Sequence, residues 1–303
     1  MTQQIRSQSV EASLEQLRRN RPAYAELVDT FQPLLCARER LAAAFSEKCP
    51  APPAANSAAR RQGAHLLAGQ DLLPWSDLLD ASADTLLPIL GQILNIPDLE
   101  QNFRAHLRGR GGSLAELARD RLAGDENALL RVSESMSMGA APLSFILENI
   151  MAPVLSAISA QIKPLANWSE WAQPNCPVCG SLPSFAFLSL REPVHTEQLV
   201  SGGGKKHLHC SLCGHDWRVR RDTCTACGSS ETEQREIIHA EGVPGERIEA
   251  CGYCGSYCLC VDLRQYDAVP APETVPLGLV HLDILAQGKK LRPLAWTVWN
   301  SLK

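Results

Sequence analysis

A basic excess is missing from this chain: 33 Asp and Glu outnumber 29 Lys and Arg, for a formal charge of −4. That balance counts against bulk phosphate binding. Runs long enough for a membrane span are also missing. The apolar stretches are broken by charge or proline short of the ~18 to 20 residues a spanning helix needs. The opening MTQQIRSQSVEASLEQLRRN is polar and has no apolar centre, so it carries no signal-peptide pattern. Walker A, G-x-S-x-G and H-E-x-x-H do not occur, nor does the H-x-E arrangement of zinc deaminases. No solenoid period is found. These absences predict a soluble, cytoplasmic protein that is not an enzyme. Hydrophobic residues still make up 45% of the 303, enough for a substantial core.

What the chain has is cysteine, in one half. Of twelve cysteines, only Cys36 and Cys49 precede residue 170; the other ten lie between Cys176 and Cys260. In a reducing compartment such a set points to metal binding or redox chemistry rather than a disulfide framework. The shift in composition predicts an α+β protein: an all-helical domain over 1–169, ribbon-like metal modules over 170–222 and 223–265, and a C-terminal helical segment and tail over 266–303.

The first half reads as successive helices. Tyr24, Leu27, Val28, Phe31, Leu34, Leu35, Leu41 and Phe45 share one face at helical spacing, with Pro33 expected to kink or interrupt it. APPAANS at 51–57 is a connector. Leu78 to Leu94 form a second apolar face; Leu99, Phe103 and Leu107 a third, closed by GRGG. Ser113 and Glu116 form a capping-box pattern. APLSFILENIMAPVLSAISAQI is read as a buried helix bent at Pro153, because Glu148 and Asn149 interrupt it. His65 and His106 are isolated and are read as packing or surface residues. Met136, Met138 and Cys36 are read as helix packing.

The second half carries four C-x-x-C pairs: Cys176/Cys179, Cys210/Cys213, Cys224/Cys227 and Cys251/Cys254. Each is followed by glycine, as CPVCG, CSLCG, CTACG and CGYCG. In a metal knuckle, backbone N–H groups point at sulfur, and glycine after the second cysteine allows the positive φ the turn needs. Two knuckles supply the four thiolates of a tetrahedral S₄ site, so four predict two sites. A thioredoxin-like redox pair would open a helix. Here the flanks are short strand-like runs, SFAFLSL, KKHLHC, HDWRVRR, REIIHA, RIEAC and SYCLCVDL, which fit zinc-ribbon or rubredoxin-type hairpins. Consecutive pairing is preferred to interleaving: Cys176, Cys179, Cys210 and Cys213 form one site; Cys224, Cys227, Cys251 and Cys254 form the other, with SGGGKK at 201–206 as the first hairpin's tip.

Cys258 and Cys260 alternate with Leu259 in a strand and are expected to pack on one face. His207, His209, His215 and His239 lie near the knuckles, but eight thiolates already complete two sites. A closed all-cysteine site has no open position, which disfavours Lewis-acid catalysis. Over 170–265, nine Lys or Arg face twelve Asp or Glu, a net of −3, and the cluster RVRR at 218–221 is followed by Asp222. Nucleic acid is therefore not the expected partner.

The ordered set CPVCGSLP, LHCSLCGHDWRVRRDTCTACG with its Trp217, and EACGYCGSY resembles the FdhE family of formate dehydrogenase accessory proteins. The resemblance covers residues ~170 to 262; Cys258, Cys260 and everything after Asp262 fall outside its pattern. It implies a cytoplasmic maturation factor that binds the catalytic subunit of a respiratory formate dehydrogenase before export by the twin-arginine route. It also implies rubredoxin-like iron at the eight knuckle cysteines, with zinc as the alternative that S₄ geometry equally serves. A rubredoxin-like electron carrier or thiol-redox protein is the competing reading. After residue 265, PLGLVHLDILAQGKK is expected to form one amphipathic helix, followed by a tail in which Trp296 and Trp299 pack on the helical half.

Overall fold

The structure, a computed structural model, describes residues 7–54, 57–109, 112–162, 171, 173–190, 204–240, 242–243, 245–298 and 300. Helices occupy the first half: α1 (Val10–Asn20), α2 (Ala25–Ser46), a short α3 (Ser57–Arg61), α4 (Ser76–Leu94), α5 (Leu99–Gly109), α6 (Leu114–Ala123), α7 (Glu126–Ser135) and α8 (Ala140–Ile162). The capping box starts α6 as expected. Glu116 N–H donates to the Ser113 hydroxyl at 3.2 Å, and Ser113 N–H donates to the Glu116 carboxylate at 2.9 Å. Two orphan amides of the first turn are thereby satisfied.

Pro33 does not interrupt its helix. α2 continues through it for 22 residues. Proline costs one backbone hydrogen bond there, but Val28, Phe31, Leu34 and Leu35 are buried on both sides of it and hold the helix in the core. α8 is long and apolar enough to cross a membrane, yet 72% of that stretch is buried inside the protein. It lies against both α2 and α4, with Leu143, Ile146, Leu147 and Ile150 fully covered. Its polar residues are answered within the bundle. Arg38 donates to Asn149 Oδ1 at 3.1 Å, and Arg121 Nε donates to Glu148 at 3.0 Å.

Every predicted strand run forms: β1 (Pro183–Leu188), β2 (Lys206–Cys210), β3 (Asp216–Arg218), β4 (Arg235–His239), β5 (Glu246–Cys251) and β6 (Ser256–Asp262). Each ribbon-like part contributes three antiparallel strands. The two parts share one sheet of order β3-β2-β1-β6-β5-β4. Their seam is a parallel pairing of β1 with β6, Ala186 opposite Cys260 and Leu188 opposite Asp262. β6 is covered on both faces. Cys258 and Cys260 belong to the main core, while Tyr257, Leu259 and Val261 pack in a second cluster with Leu279 and Leu282.

The expected single C-terminal helix is two, α9 (Val275–Gly278) and α10 (Val280–Gly288), separated at Leu279, and β7 (Arg292–Pro293) then joins the start of β6. Trp296 does not pack on the helical half; it is 68% exposed. Earlier residues make that contact. Arg21 holds both Glu246 oxygens at 2.8 and 2.7 Å, Ala271 N–H donates to the Ser13 hydroxyl, and His281 N–H donates to the Tyr24 hydroxyl. Trp299, residues 163–170 at the predicted boundary, 110–111 of GRGG and 201–203 of the predicted hairpin tip lie outside the described residues.

α10 is tied to the sheet by Tyr257, whose hydroxyl donates to Asp283 Oδ1 at 2.5 Å. Burial raises the Asp283 carboxyl to about 6, against the lowering effect of that hydrogen bond. A carboxyl raised on folding favours the native state while protonated, and this contribution is lost as pH climbs from about 4 through 6. Asp283→Asn keeps an oxygen acceptor for Tyr257 and removes the charge. The variant is therefore expected to be more stable than wild type above pH 6, by on the order of 2 kcal/mol, with the difference vanishing near pH 4. Urea unfolding at pH 4.5 and 7.5 measures both.

Candidate metal centres

Each knuckle repeats one backbone design. Gly180, Gly214, Gly228 and Gly255 have φ of 79°, 65°, 73° and 68°, a region costly for residues with a Cβ. The positive φ lets the glycine N–H turn back onto the first cysteine's carbonyl, at 2.9 Å for Gly180 and Gly228 and 2.8 Å for Gly255. Amides are then left facing sulfur. Val178, Leu212 and Ala226 N–H donate to the Sγ of Cys176, Cys210 and Cys224, each at 3.4 Å.

The sheet brings the knuckles together in the consecutive pairing. Cys176, Cys179, Cys210 and Cys213 have all four sulfurs within 4.8 Å of one another, and so do Cys224, Cys227, Cys251 and Cys254. Nearest sulfurs are 3.5 and 3.4 Å apart in the first group and 3.9 Å twice in the second. A disulfide would need about 2.0 Å. A tetrahedron with metal–sulfur bonds of about 2.3 Å has edges of about 3.8 Å. Both groups are thus shaped to hold one thiophilic metal ion each.

Their electrostatics agree. Burial pushes the Cys176 and Cys213 thiols well above their ordinary range, and Cys224 up to about 12. Burial also pulls Cys254 upward, but the Ser256 amide and hydroxyl bring it down to about 7. Four adjacent thiolates repel one another, and a divalent cation is the counter-charge that lets all four ionise.

The two groups differ in their surroundings. All four sulfurs of the first belong to buried core residues. The helical half covers them: Leu66 and Leu67 N–H donate to the carbonyls of Pro177 and Val178 at 2.9 and 3.0 Å. His65, an isolated residue in the sequence, packs over Gly180, and Ser159 bonds His215 Nδ1 at 3.1 Å. In the second group only Cys251 is buried, and Cys227 is exposed.

A buried charge cluster backs the second group, and nothing in the sequence pattern marked it. Lys206 is 2% exposed; its ammonium donates to Glu249 at 2.5 Å and to the Thr225 hydroxyl, inside the third knuckle, at 3.2 Å. Arg247 holds the other Glu249 oxygen at 2.7 Å. Burial alone would raise the Glu249 carboxyl, but Lys206 and Arg247 outweigh it and hold it at about 2.

Among the described residues, neither group includes a histidine. His209 bonds Asp216 at 2.7 Å and stacks on Phe185, and His207 stacks on Phe187. Cys258 and Cys260 stand outside both groups; burial pushes the Cys258 thiol up to about 12 and raises the Cys260 thiol well above its ordinary range.

No family model matches the chain. It is similar to curated FdhE homologues from Aquifex aeolicus (31% identity over 145 residues, 48% of this chain and 47% of that one) and Pseudomonas putida (32% over 146 residues, 47% and 42%). It is also similar to one from Haemophilus influenzae (32% over 115 residues, 38% and 34%). The matched stretch thus spans about a third to a half of each relative's length. The fold matches the crystal structure of the FdhE protein from Pseudomonas aeruginosa with a TM-score of 0.57, at 20% identity, over 95% of this chain and 92% of that one.

Two pairs of substitutions test this geometry. A Cβ at Gly228 meets nothing within 4 Å, whereas at Gly180 it would lie 2.5 Å from the His65 ring. Gly228→Ala is expected to cost about 1 kcal/mol from the backbone alone, and Gly180→Ala clearly more, as read by thermal melting. Lys206→Met leaves Glu249 short of its closest cation and is expected to cost about 3 kcal/mol, the lower end for a broken buried pair because Arg247 remains. Combined with Glu249→Gln, the loss should be less than additive in urea unfolding.

Proposed function

We propose that this protein, similar to FdhE homologues over about half of its length or less and matching the FdhE fold, is a cytoplasmic accessory factor for maturation of a respiratory formate dehydrogenase, acting by binding rather than by catalysis. The observation that carries this reading is the pair of closed four-sulfur groups set into one sheet. Such a site fills its own coordination sphere and leaves no position for substrate, so its use is to hold a shape. The ligands are Cys176, Cys179, Cys210 and Cys213 in the first centre, and Cys224, Cys227, Cys251 and Cys254 in the second.

The metal we propose is iron, with zinc the alternative. Bound there, it crosslinks two knuckles per centre, and as iron it adds a one-electron couple. The chain's own residues do the rest. Knuckle amides support the sulfurs, the segment from His65 to Leu67 joins the first centre to the helical half, and the seam of β1 and β6 joins the first ribbon to the second. The result is one rigid surface on which an incompletely matured catalytic subunit docks. A rubredoxin-like electron carrier is the second reading, and the exposed Cys227 favours it, since electron transfer needs a centre near the surface.

Metal analysis and absorption spectra of protein purified with and without air test the centres. Two equivalents per chain are expected, with ferric-thiolate colour if the metal is iron. Absence of metal, with oxidised C-x-x-C pairs, would sink the reading. Tagged protein is expected to retain the formate dehydrogenase catalytic subunit. Reversible turnover with an electron donor, without that retention, would favour the carrier.

A further inference from the structure

We propose that the second four-sulfur group is an exchangeable site for a thiophilic divalent cation, while the first is a permanent crosslink of the fold. The inference rests on reading both groups as metal centres. It goes beyond that reading by assigning the two centres different tasks.

A metal leaves a four-thiolate site by stepwise ligand exchange. An incoming ligand binds as one cysteine sulfur departs, and the freed thiolates take up protons from water. The first step needs a sulfur that an outside ligand can approach. In the first group, Cys176, Cys179, Cys210 and Cys213 are 0, 1, 2 and 1% exposed. The cover over them is the helical half itself. Leu66 and Leu67 are bonded to the knuckle backbone, the His65 ring lies on Gly180, and Ser159 of α8 bonds His215. Reaching a sulfur there means parting two halves of one continuous core, a sub-global opening.

The second group offers an entrance. Cys227 is exposed, Cys224 and Cys254 are half-buried, and nothing stands within 4 Å of where a Cβ on Gly228 or Gly255 would project. Tyr253, at the tip of the last knuckle, is 71% exposed. An incoming ligand can therefore meet the Cys227 sulfur with the fold closed.

The emptied site also has a frame to remain in. β5 and β6 are paired through five registers, and Ile248, Leu259 and Val261 pack with Leu279 and Leu282 in a cluster that contains none of the four ligand cysteines. On the other side, Lys206 pins Thr225 of the third knuckle to Glu249 of β5 without any metal. The site is built to reload rather than to collapse.

The full chain, loaded with two zinc equivalents under anaerobic conditions, is mixed with excess 4-(2-pyridylazo)resorcinol. One equivalent is expected to transfer at least about tenfold faster than the other, a gap set by the opening that only the first group requires. Far-UV circular dichroism should stay unchanged through the fast phase, and added zinc should refill the emptied site. Cys227→Ser should abolish the fast equivalent and keep the slow one. Release of both equivalents in one phase, or loss of helical signal with the first, overturns the proposal even if the variant folds poorly. A chain that binds no zinc at all overturns the underlying assignment of metal centres as well.

Discussion

Four sulfur atoms within 4.8 Å of one another, twice over, set the terms for everything around them. Left as thiols, the atoms make no strong bond; ionised, they repel. Only a shared cation turns the crowding into an attraction, and it then ties together strands far apart in sequence. A seven-strand sheet made of pieces of two to seven residues has little apolar area of its own to bury. The helices that enclose β6 and the first knuckles supply part of its stability, and a metal held by the two sulfur groups would supply the rest.

The knuckles were legible because their chemistry is written in five consecutive residues. A C-x-x-C-G segment states the ligands, the turn and the residue that relieves the turn, and each of the four behaves alike. The six short strands were legible for a similar reason, since alternation along SYCLCVDL already separates Cys258 and Cys260 from Leu259. What could not be read is what depends on distant partners. The parallel seam of β1 with β6 joins residues more than seventy positions apart, and no local pattern announces it. Lys206 looks like a surface residue until Glu249, 43 positions on, is placed against it. Pro33 misleads in the opposite direction. Its local penalty is real, but the buried side chains around it outweigh the lost bond.

The same distinction separates the two centres. Their ligand spacing is identical in kind, so sequence treats them as equals. Position in the fold does not. One is enclosed between the helical half and the sheet; the other lies where the last knuckle meets solvent. The charges differ too. Close to the second centre, Lys206 and Arg247 converge on one carboxylate, leaving local positive charge beside a tetrathiolate that stays negative even with a divalent ion bound.

The seam between the ribbons has one more property. Knuckle, strand, strand, knuckle, strand occurs twice, so β1 corresponds to β4, and β3 to β6. Pairing β1 with β6 therefore joins the head of one unit to the tail of the next. A contact of that kind between like units is head-to-tail, and repetition from chain to chain produces a ring where the rotation closes and a fibre where it does not. The unused halves of the same contact are the two outer strands, β3 and β4, at opposite ends of the sheet. β3 is only three residues long, and β4 carries Arg235, Glu236 and His239, the short length and charge that blunt an open edge. Both places where a second chain could extend the join thus carry features that disfavour it.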